Sequence, residues 1–221
     1  KSKLMNNFYI LSLGCPKNEV DAESMSYALR NASFNFVDDP GSANFLIVNT
    51  CGFIEPAKEE AISAILDLAD IKESNLNENK PTFLIVTGCL GQRYATEIYQ
   101  EFPEVDLVLG TAQYDLIVDS VKRLKQGEIL KKNLPGKPGS ISHLFQGEQA
   151  ATDRSYAYLK IAEGCSNHCA FCAIPGIRGS LLSRPLDDVV AEAEVLTERG
   201  FKEIILIAQD TTRYGQDIYG K

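Results

Sequence analysis

The sequence has no long apolar run and few histidines, and each shortage excludes a class of function. Crossing a bilayer takes about 20 consecutive apolar residues, whereas the longest runs, such as 203–208, have the length of a strand. The only histidines, His143 and His168, leave little support for a His-based catalytic triad. The polar N-terminus carries no apolar signal region, so we expect a cytoplasmic protein without a membrane partner.

Basic residues are also scarce relative to acidic ones. The 221 residues include 22 Lys and Arg against 30 Asp and Glu, which gives a net charge of −8. Non-specific binding to nucleic acid depends on basic side chains that release counterions. The charge balance therefore favours a basic protein or a small molecule over nucleic acid as the main partner.

Short apolar runs alternate with helical stretches through the first 124 residues. The pattern predicts four strands and four helices: strands at 8–13, 45–49, 83–87 and 106–109, and helices at 19–30, 56–69, 92–101 and 114–124. Near-continuous Val, Ile and Leu runs between helices are typical of a parallel sheet covered on both faces. We therefore predict an α/β fold with a three-layer N-terminal domain at 1–124.

The pattern fails at 125–154, a segment with several Gly, Pro and Lys residues that we interpret as a linker. A strand at 156–162, a helix at 186–199 and a strand at 203–208 then predict one βαβ unit, the start of a second domain at 155–221. One such unit cannot close a barrel and leaves an unpaired strand edge. We therefore expect the natural protein to be longer than this chain, and the chain alone to be inactive.

The six cysteines form two groups of three. Disulfides do not persist in a reducing cytosol, so metal binding or catalysis is the better interpretation. Cys15, Cys51 and Cys89 each follow an apolar strand, and the carboxyl ends of parallel strands share one edge of the sheet. Their thiolates are predicted to converge there and to hold an iron–sulfur cluster, zinc or copper(I) with one position open. The alternative is that each is a small buried apolar residue.

The second group lies in residues 165–172, hereafter the cysteine loop. Cys165, Cys169 and Cys172 follow a strand directly, and a short loop of this kind can ligate three irons of a 4Fe–4S cluster. The fourth iron then stays open to a chelating substrate. Structural zinc, with His168 as a fourth ligand, is the alternative.

The spacing in the cysteine loop, with Phe171 before the last cysteine, resembles that of radical S-adenosylmethionine enzymes. The resemblance implies that S-adenosylmethionine binds the open iron, with Phe171 beside the adenine. It also implies that Gln209 and Asp210 approach the methionine amino group, for which packing or a turn is the alternative. The fold implied for 155–221 is an incomplete TIM-type barrel, and no catalytic residue is assigned.

Together the two cysteine groups resemble the methylthiotransferase family. The resemblance implies that Cys15, Cys51 and Cys89 hold a second 4Fe–4S cluster, and that a methylthio group replaces a hydrogen of the substrate. One branch of the family modifies an adenosine in tRNA, and the other modifies the β-carbon of an aspartate in a small-subunit ribosomal protein. The stretches Ser12–Asn18 and Ala208–Gly215 resemble the ribosomal-protein branch.

Three functions follow in order of preference. The first is methylthiolation of that ribosomal aspartate, with two 4Fe–4S clusters and S-adenosylmethionine as cofactors; the reductant and sulfur donor are not identified. The second is methylthiolation of tRNA, and only this hypothesis implies an RNA partner. The third, from another class, is a non-catalytic iron–sulfur or zinc-binding protein.

Overall fold

The computed structural model describes residues 6–131, 134–141 and 154–220. Part of the predicted linker, His143 and Lys221 lie outside these residues. The helices and strands are β1 (Asn7–Ser12), α1 (Pro16–Asn31), β2 (Asn35–Phe36), β3 (Phe45–Thr50), α2 (Glu55–Asn77), β4 (Phe83–Thr87), α3 (Gly88–Glu101), β5 (Val105–Val108), α4 (Ile117–Lys125), β6 (Tyr156–Lys160), β7 (Ala162–Glu163), α5 (Ile174–Arg178), β8 (Leu182–Ser183), α6 (Leu186–Glu198), β9 (Glu203–Ile207) and α7 (Gln216–Tyr219). No helix among them has the length and apolar character of a bilayer span.

The N-terminal part is a five-stranded sheet in the order β2-β1-β3-β4-β5, with every pair parallel. The strands β1, β3 and β4, which precede the first three cysteines, are therefore neighbours. All six residues of β3 are buried, as expected for a central strand covered on both faces. The predicted parallel α/β fold is confirmed.

Alternate residues of the sheet face two separate cores. On one face, Leu46, Val48 and Val86 pack against apolar residues of α2 and α3. On the other face, Ile47 and Ile85 pack against α1 and α4. This two-sided burial fixes the register of the strands and hence the positions of the residues that follow them.

The second part contains the predicted βαβ unit. Strands β6 and β9 pair in parallel from Tyr156–Glu203 to Lys160–Ile207, and α6 packs on them through Val189 and Leu196. The sequence pattern did not predict α5 or the short antiparallel pair β7–β8, because segments of two to five residues show no measurable periodicity.

Two helix boundaries differ from the prediction by four or more residues. Helix α2 continues to Asn77 rather than 69, because Ile71, Lys72 and Asn75 still face the protein interior. Helix α3 begins at Gly88 rather than 92, because glycine adopts a φ of +92° that turns the chain directly from β4 into the helix. As a result, Cys89 lies in the first helical turn rather than in a loop.

Candidate metal centres

The structure brings the first three cysteines together at one edge of the sheet. Cys15 is the N-cap of α1, Cys51 follows β3, and Cys89 lies in the first turn of α3. A Cβ atom placed on Gly14 would lie 2.6 Å from Cβ of Cys51, so the chain segments are in direct contact. Residues from three neighbouring strand ends thus form one site, hereafter the N-terminal thiol site.

One buried amide holds the three segments of this site in place. The Nδ2 group of Asn18 donates to the backbone oxygens of Leu13 (2.8 Å) and Thr50 (3.0 Å). Its Oδ1 atom lies 3.8 Å from Sγ of Cys89. Because Asn18 is completely buried, water does not compete for these bonds, and the side chain sets the spacing between the strand ends.

A buried arginine from the second part completes the site. The Nε group of Arg178 lies 3.4 Å from Sγ of Cys89, and another guanidinium nitrogen donates to Oδ1 of Asn18. Burial raises the pKa of the Cys89 thiol, the cation of Arg178 opposes that rise, and the nearby Cys51 and Cys15 add to it. The thiol therefore needs a positive partner to become a thiolate ligand.

Arg178 belongs to a larger buried cluster of charges. Its Nη1 group donates to Oε2 of Glu163 (2.8 Å) and to Oδ2 of Asp21 (3.1 Å). Lys160 pairs with the same two carboxylates and lies 2.6 Å from Oδ1 of Asp21. All four side chains are at most 1% exposed. With two cations and two anions, this charge network is neutral and joins α1 to β6, β7 and α5.

The network holds the carboxylate of Glu163 in the ionised form. Burial acts to raise the pKa of Glu163, but the cations of Arg178 and Lys160 outweigh it and lower that pKa below its usual value. The same pairing places the pKa of Arg178 well above its usual range, although burial opposes this. The guanidinium beside Cys89 is therefore permanently charged.

The cysteine loop lies after β7 and is open to solvent. The backbone N–H of Cys165 donates to the carbonyl of Gly179, and that of Cys172 donates to the carbonyl of Cys169, both at 3.0 Å. Cys169 is exposed, and the ring of Phe171 is 91% exposed. A flat apolar ring with this degree of exposure offers a stacking surface to a ligand.

Gln209 and Asp210 lie beyond β9, close to this loop. Both polar atoms of the Gln209 side-chain amide are buried and have no hydrogen-bond partner among the described residues. Asp210 accepts from Thr212 and from Nδ2 of Asn167 (2.8 Å), and these two hydrogen bonds lower its pKa. The carboxylate therefore anchors the cysteine loop through Asn167, while the buried side-chain amide of Gln209 keeps its donor group and its acceptor unused among the described residues.

Both groups of thiols have the donor chemistry of iron–sulfur ligands. In the described ranges, no three His, Cys, Asp or Glu side chains are arranged as ligands of a single metal ion. A cubic cluster makes a different demand, since each thiolate binds its own iron. Three soft donors beside a buried cation at the N-terminal thiol site, and three in an open loop, fit such clusters.

Comparisons with known proteins agree with this arrangement. A model described as "Uncharacterized protein family UPF0004" matches residues 7–110, and that of the radical SAM superfamily matches 159–220. The chain is 44% identical to "Ribosomal protein uS12 methylthiotransferase RimO" of Thermoanaerobacter sp. (strain X514), over 98% of this chain and 48% of that protein. The protein of the same name from Desulforamulus reducens is 47% identical to the chain, over 98% of this chain and 48% of that protein.

Over nearly its whole length, the chain is similar to methylthiotransferases of the radical S-adenosylmethionine superfamily. It spans about half the length of the curated relatives it matches. Those relatives carry the name of the ribosomal-protein branch, as the residues around Cys15 and Gln209 predicted. Radical S-adenosylmethionine enzymes use an iron–sulfur cluster and S-adenosylmethionine, so one such cluster follows from the superfamily match.

A solved structure supports the fold. The chain is similar to the radical S-adenosylmethionine methyltransferase TsrM from Kitasatospora setae, solved with tryptophan and a S-adenosylmethionine analogue. The TM-score is 0.62 at 13% identity, over 93% of this chain and 48% of the other. At that identity, the likeness concerns the fold only.

The sequence did not assign a site role to Asn18, Asp21, Lys160, Glu163 or Arg178. The available signal was weak: a charged residue inside an apolar strand, such as Lys160 in Tyr156–Lys160, indicates a buried partner without naming it. One shared partner, Asp21, lies on α1, more than 100 residues away in sequence, and only the fold brings it to Lys160 and Arg178.

Proposed function

We propose that the protein carrying this chain methylthiolates the β-carbon of an aspartate in ribosomal protein uS12, using two 4Fe–4S clusters and S-adenosylmethionine. The observation that carries the proposal is the presence of two separate three-thiol sites, one at the sheet edge and one in the cysteine loop. The names of the curated relatives supply the substrate. The net charge of −8 suits a basic ribosomal partner and a location among cytoplasmic ribosomes.

The proposal gives each set of residues a task. Cys165, Cys169 and Cys172 hold the cluster to which S-adenosylmethionine binds, and when bound these groups supply the radical chemistry that removes a hydrogen atom from an unactivated C–H bond. Phe171 offers its exposed ring to the adenine. The amide of Gln209 offers one donor and one acceptor to the methionine portion. Asp210 holds the loop in shape through Asn167.

The N-terminal thiol site has a second task. Cys15, Cys51 and Cys89 hold the cluster whose chemistry, when bound, is the delivery of sulfur. The proposed division of the chain is a methylthiotransferase domain at 1–124, a linker at 125–154 and the start of the radical domain at 155–221. The reductant and the external sulfur source are left unassigned.

Iron counting tests the two-cluster proposal. The chain is reconstituted anaerobically with iron and sulfide, beside one variant with Cys165, Cys169 and Cys172 changed to Ala and a matched variant with Cys15, Cys51 and Cys89 changed to Ala. About eight irons are expected in the parent and about four in each variant. Four irons in the parent, unaffected by the second variant, would contradict the role of the N-terminal thiol site. Tightly held zinc instead of iron would contradict both sites.

Substrate choice needs a separate assay. The protein that carries this chain is incubated with S-adenosylmethionine, a reductant, and either uS12 or a prenylated tRNA. Mass spectrometry is expected to show one methylthio group in place of one hydrogen on uS12 and no change on the tRNA. Modification of the tRNA alone would reassign the protein to the other branch.

A further inference from the structure

The segment that follows the cysteine loop reaches into the other thiol site. Arg178 is the last residue of α5, only six residues beyond Cys172, yet its guanidinium lies against Sγ of Cys89. The helix is fixed there by a hydrogen bond from Oγ1 of Thr111 to the carbonyl of Ile177 (2.6 Å). One short helix therefore connects the two predicted clusters.

The hydrogen bonds of Arg178 fix the orientation of its guanidinium relative to the sulfur of Cys89. Its guanidinium carries five N–H donors in a rigid fork. Two face the carboxylates of Asp21 and Glu163, one faces Asn18, and Nε faces the sulfur of Cys89. The carboxylates fix the plane of the fork, and the fork then directs one charged N–H at the thiol. A residue that served only to balance buried charge would not need this contact with sulfur.

We propose that Arg178 is a positioning residue of the N-terminal thiol site: its guanidinium holds the Cys89 thiolate toward the cluster and raises the reduction potential of that cluster. The inference rests on the proposed function, since it requires a cluster on Cys15, Cys51 and Cys89. Net charge and hydrogen bonds to sulfur are among the factors that set iron–sulfur potentials. A buried cation next to a ligand sulfur favours the reduced, more negative state, with little screening by water.

The test isolates the N-terminal cluster. In the full 221-residue chain with Cys165, Cys169 and Cys172 changed to Ala, the midpoint potential of the remaining cluster is measured by dithionite titration with EPR detection. The variants are Arg178→Gln and Arg178→Lys, with Arg184→Gln as control. Arg184 is a second buried arginine of the same part of the chain, and its guanidinium pairs with Glu192.

Arg178→Gln is expected to shift the midpoint to a more negative potential, because the cation beside the sulfur is lost. Arg178→Lys keeps the charge without the fork and is expected to recover part of the shift. Arg184→Gln is expected to lower stability without moving the potential. Equal potentials in the parent and Arg178→Gln would overturn the inference, since a purely structural arginine alters stability alone.

A second variant, expected to shift the midpoint potential in the opposite direction, keeps the inference testable if Arg178→Gln does not fold. Glu163→Gln keeps the guanidinium but removes one of the two anions that neutralise it. The positive charge next to Cys89 is then less compensated, and the midpoint is expected to move to a more positive potential. An unchanged or more negative value would contradict the inference. A parent without iron would overturn the proposed function itself, whereas a parent with iron and no shift in any variant would overturn only this inference.

Discussion

At Asn18 a single side chain bonds to the ends of two strands and touches the thiol of a third segment. Its amide replaces the water that would otherwise satisfy the carbonyls of Leu13 and Thr50. Buried carbonyls left without donors cost free energy, typically about 1–3 kcal/mol each. The residue therefore contributes both to stability and to the geometry of the N-terminal thiol site.

Asn18→Ala is expected to lower the free energy of unfolding by about 3 kcal/mol, because two buried carbonyls lose their donor. Urea unfolding of the iron-free chain measures the loss. Asn35→Ala, on the exposed strand β2, is the control and is expected to change stability by less than about 0.5 kcal/mol. Similar losses in the two variants would show that the amide of Asn18 is not the link between the strand ends.

Gly88 offers a second test at the same site. A Cβ atom at this position would lie 2.4 Å from the backbone oxygen of Thr50, and the residue has a φ of +92°. Gly88→Ala is expected to cost at least about 3 kcal/mol, from backbone strain and from this clash. Gly127→Ala shares a positive φ of +82° but meets no atom within 4 Å.

The Gly127→Ala control separates the effect of backbone strain from that of the clash with Thr50. Gly127→Ala is expected to cost only about 1 kcal/mol, the strain alone. Thermal and urea unfolding measure both variants. If both lose the same free energy, the close approach between α3 and the end of β3 does not constrain the site.

Sequence reasoning located the cysteines because their spacing is local or repeats with the strands. The residues Asn18 and Arg178 escaped it for a physical reason. Except for Leu13 and Glu163, the residues that their side chains contact are 32 to 160 positions away. No pattern of apolar residues encodes which polar groups meet at that range. Gln209 was named only through resemblance, and its role at the cofactor stays a prediction.

Among the elements, α1 carries a carboxylate with an unusual environment. Glu23 faces Arg154, which lies just before β6, with Glu19, Glu192 and Arg199 close by. Burial raises the pKa of Glu23 to about 7, against the lowering effect of Arg154. The folded state therefore binds a proton that the unfolded state releases near pH 4.5, so stability falls as the pH rises from about 4.5 to 7.

Glu23→Gln is expected to remove this pH dependence, because glutamine stays neutral. The parent is expected to lose roughly 2 kcal/mol of unfolding free energy between pH 5 and pH 8, and the variant to be more stable than the parent at pH 8. Urea unfolding across this range is the measurement. Glu59→Gln, on the exposed face of α2, should keep the profile of the parent. A parent profile that rises with pH would contradict the assignment.

The edge strand β5 is joined to α2 by a polar contact. Pairing shifts between Leu84 and Ile85, and Asp106 is left out of the ladder. Its Oδ2 accepts from the backbone N–H of Leu84 (2.8 Å) and from Nζ of the buried Lys72 (2.5 Å). The carboxylate thus replaces the missing ladder bond and neutralises the lysine.

Asp106→Ala is expected to cost about 2–4 kcal/mol, because the buried ammonium of Lys72 loses its anionic partner and a strand N–H loses its acceptor. Asp119→Ala removes an exposed carboxylate 3.8 Å from Arg123 and should cost less than about 0.5 kcal/mol. Urea unfolding compares the two. Equal losses of unfolding free energy in the two variants would mean that water satisfies the Lys72 ammonium and the Leu84 N–H at the bulge.

Strands and the order of elements were predictable because two-sided burial leaves continuous apolar runs. The ends of the helices were less predictable from the sequence. The extension of α2 depends on residues such as Lys72, whose burial follows from a partner on another strand. The early start of α3 depends on the backbone of Gly88, which the residue type permits but does not require.

For the molecule as a whole, the charge network is the main polar link between its two parts. Lys160 and Arg178 come from the second part, and Asp21 comes from α1. The network is neutral, so removal of one member leaves an uncompensated charge in a dry interior. The stability of the two parts is therefore coupled.

Lys160→Met is expected to cost about 3–5 kcal/mol, since it leaves two carboxylates against one guanidinium. Adding Asp21→Asn restores the balance, and the double variant should be less destabilised than the sum of the single ones by at least about 1 kcal/mol. Urea unfolding of the four chains of this cycle measures the coupling. Lys58→Met, which breaks a pair at the protein surface, is the control, with an expected cost below about 1 kcal/mol. Additive costs would show that the network does not act as a unit.

The fold of each part was predictable from apolar periodicity, and the βαβ unit is present as expected. The docking of the two parts against each other was not predictable, because it depends on α5. The five residues of this helix include a proline and a glycine and carry no helical pattern. The arrangement of the two thiol sites relative to each other follows from that docking.

The position of Arg178 has a consequence for the order in which the protein matures. Cys89 is only 5% exposed once α5 has docked, so iron and sulfide reach it more slowly in the folded chain than before α5 docks. During synthesis, however, residues 7–110 leave the ribosome before residue 178 is added, and N-terminal regions fold first. The growing chain therefore offers an interval in which all three thiols are accessible, and the later docking of α5 covers the N-terminal thiol site.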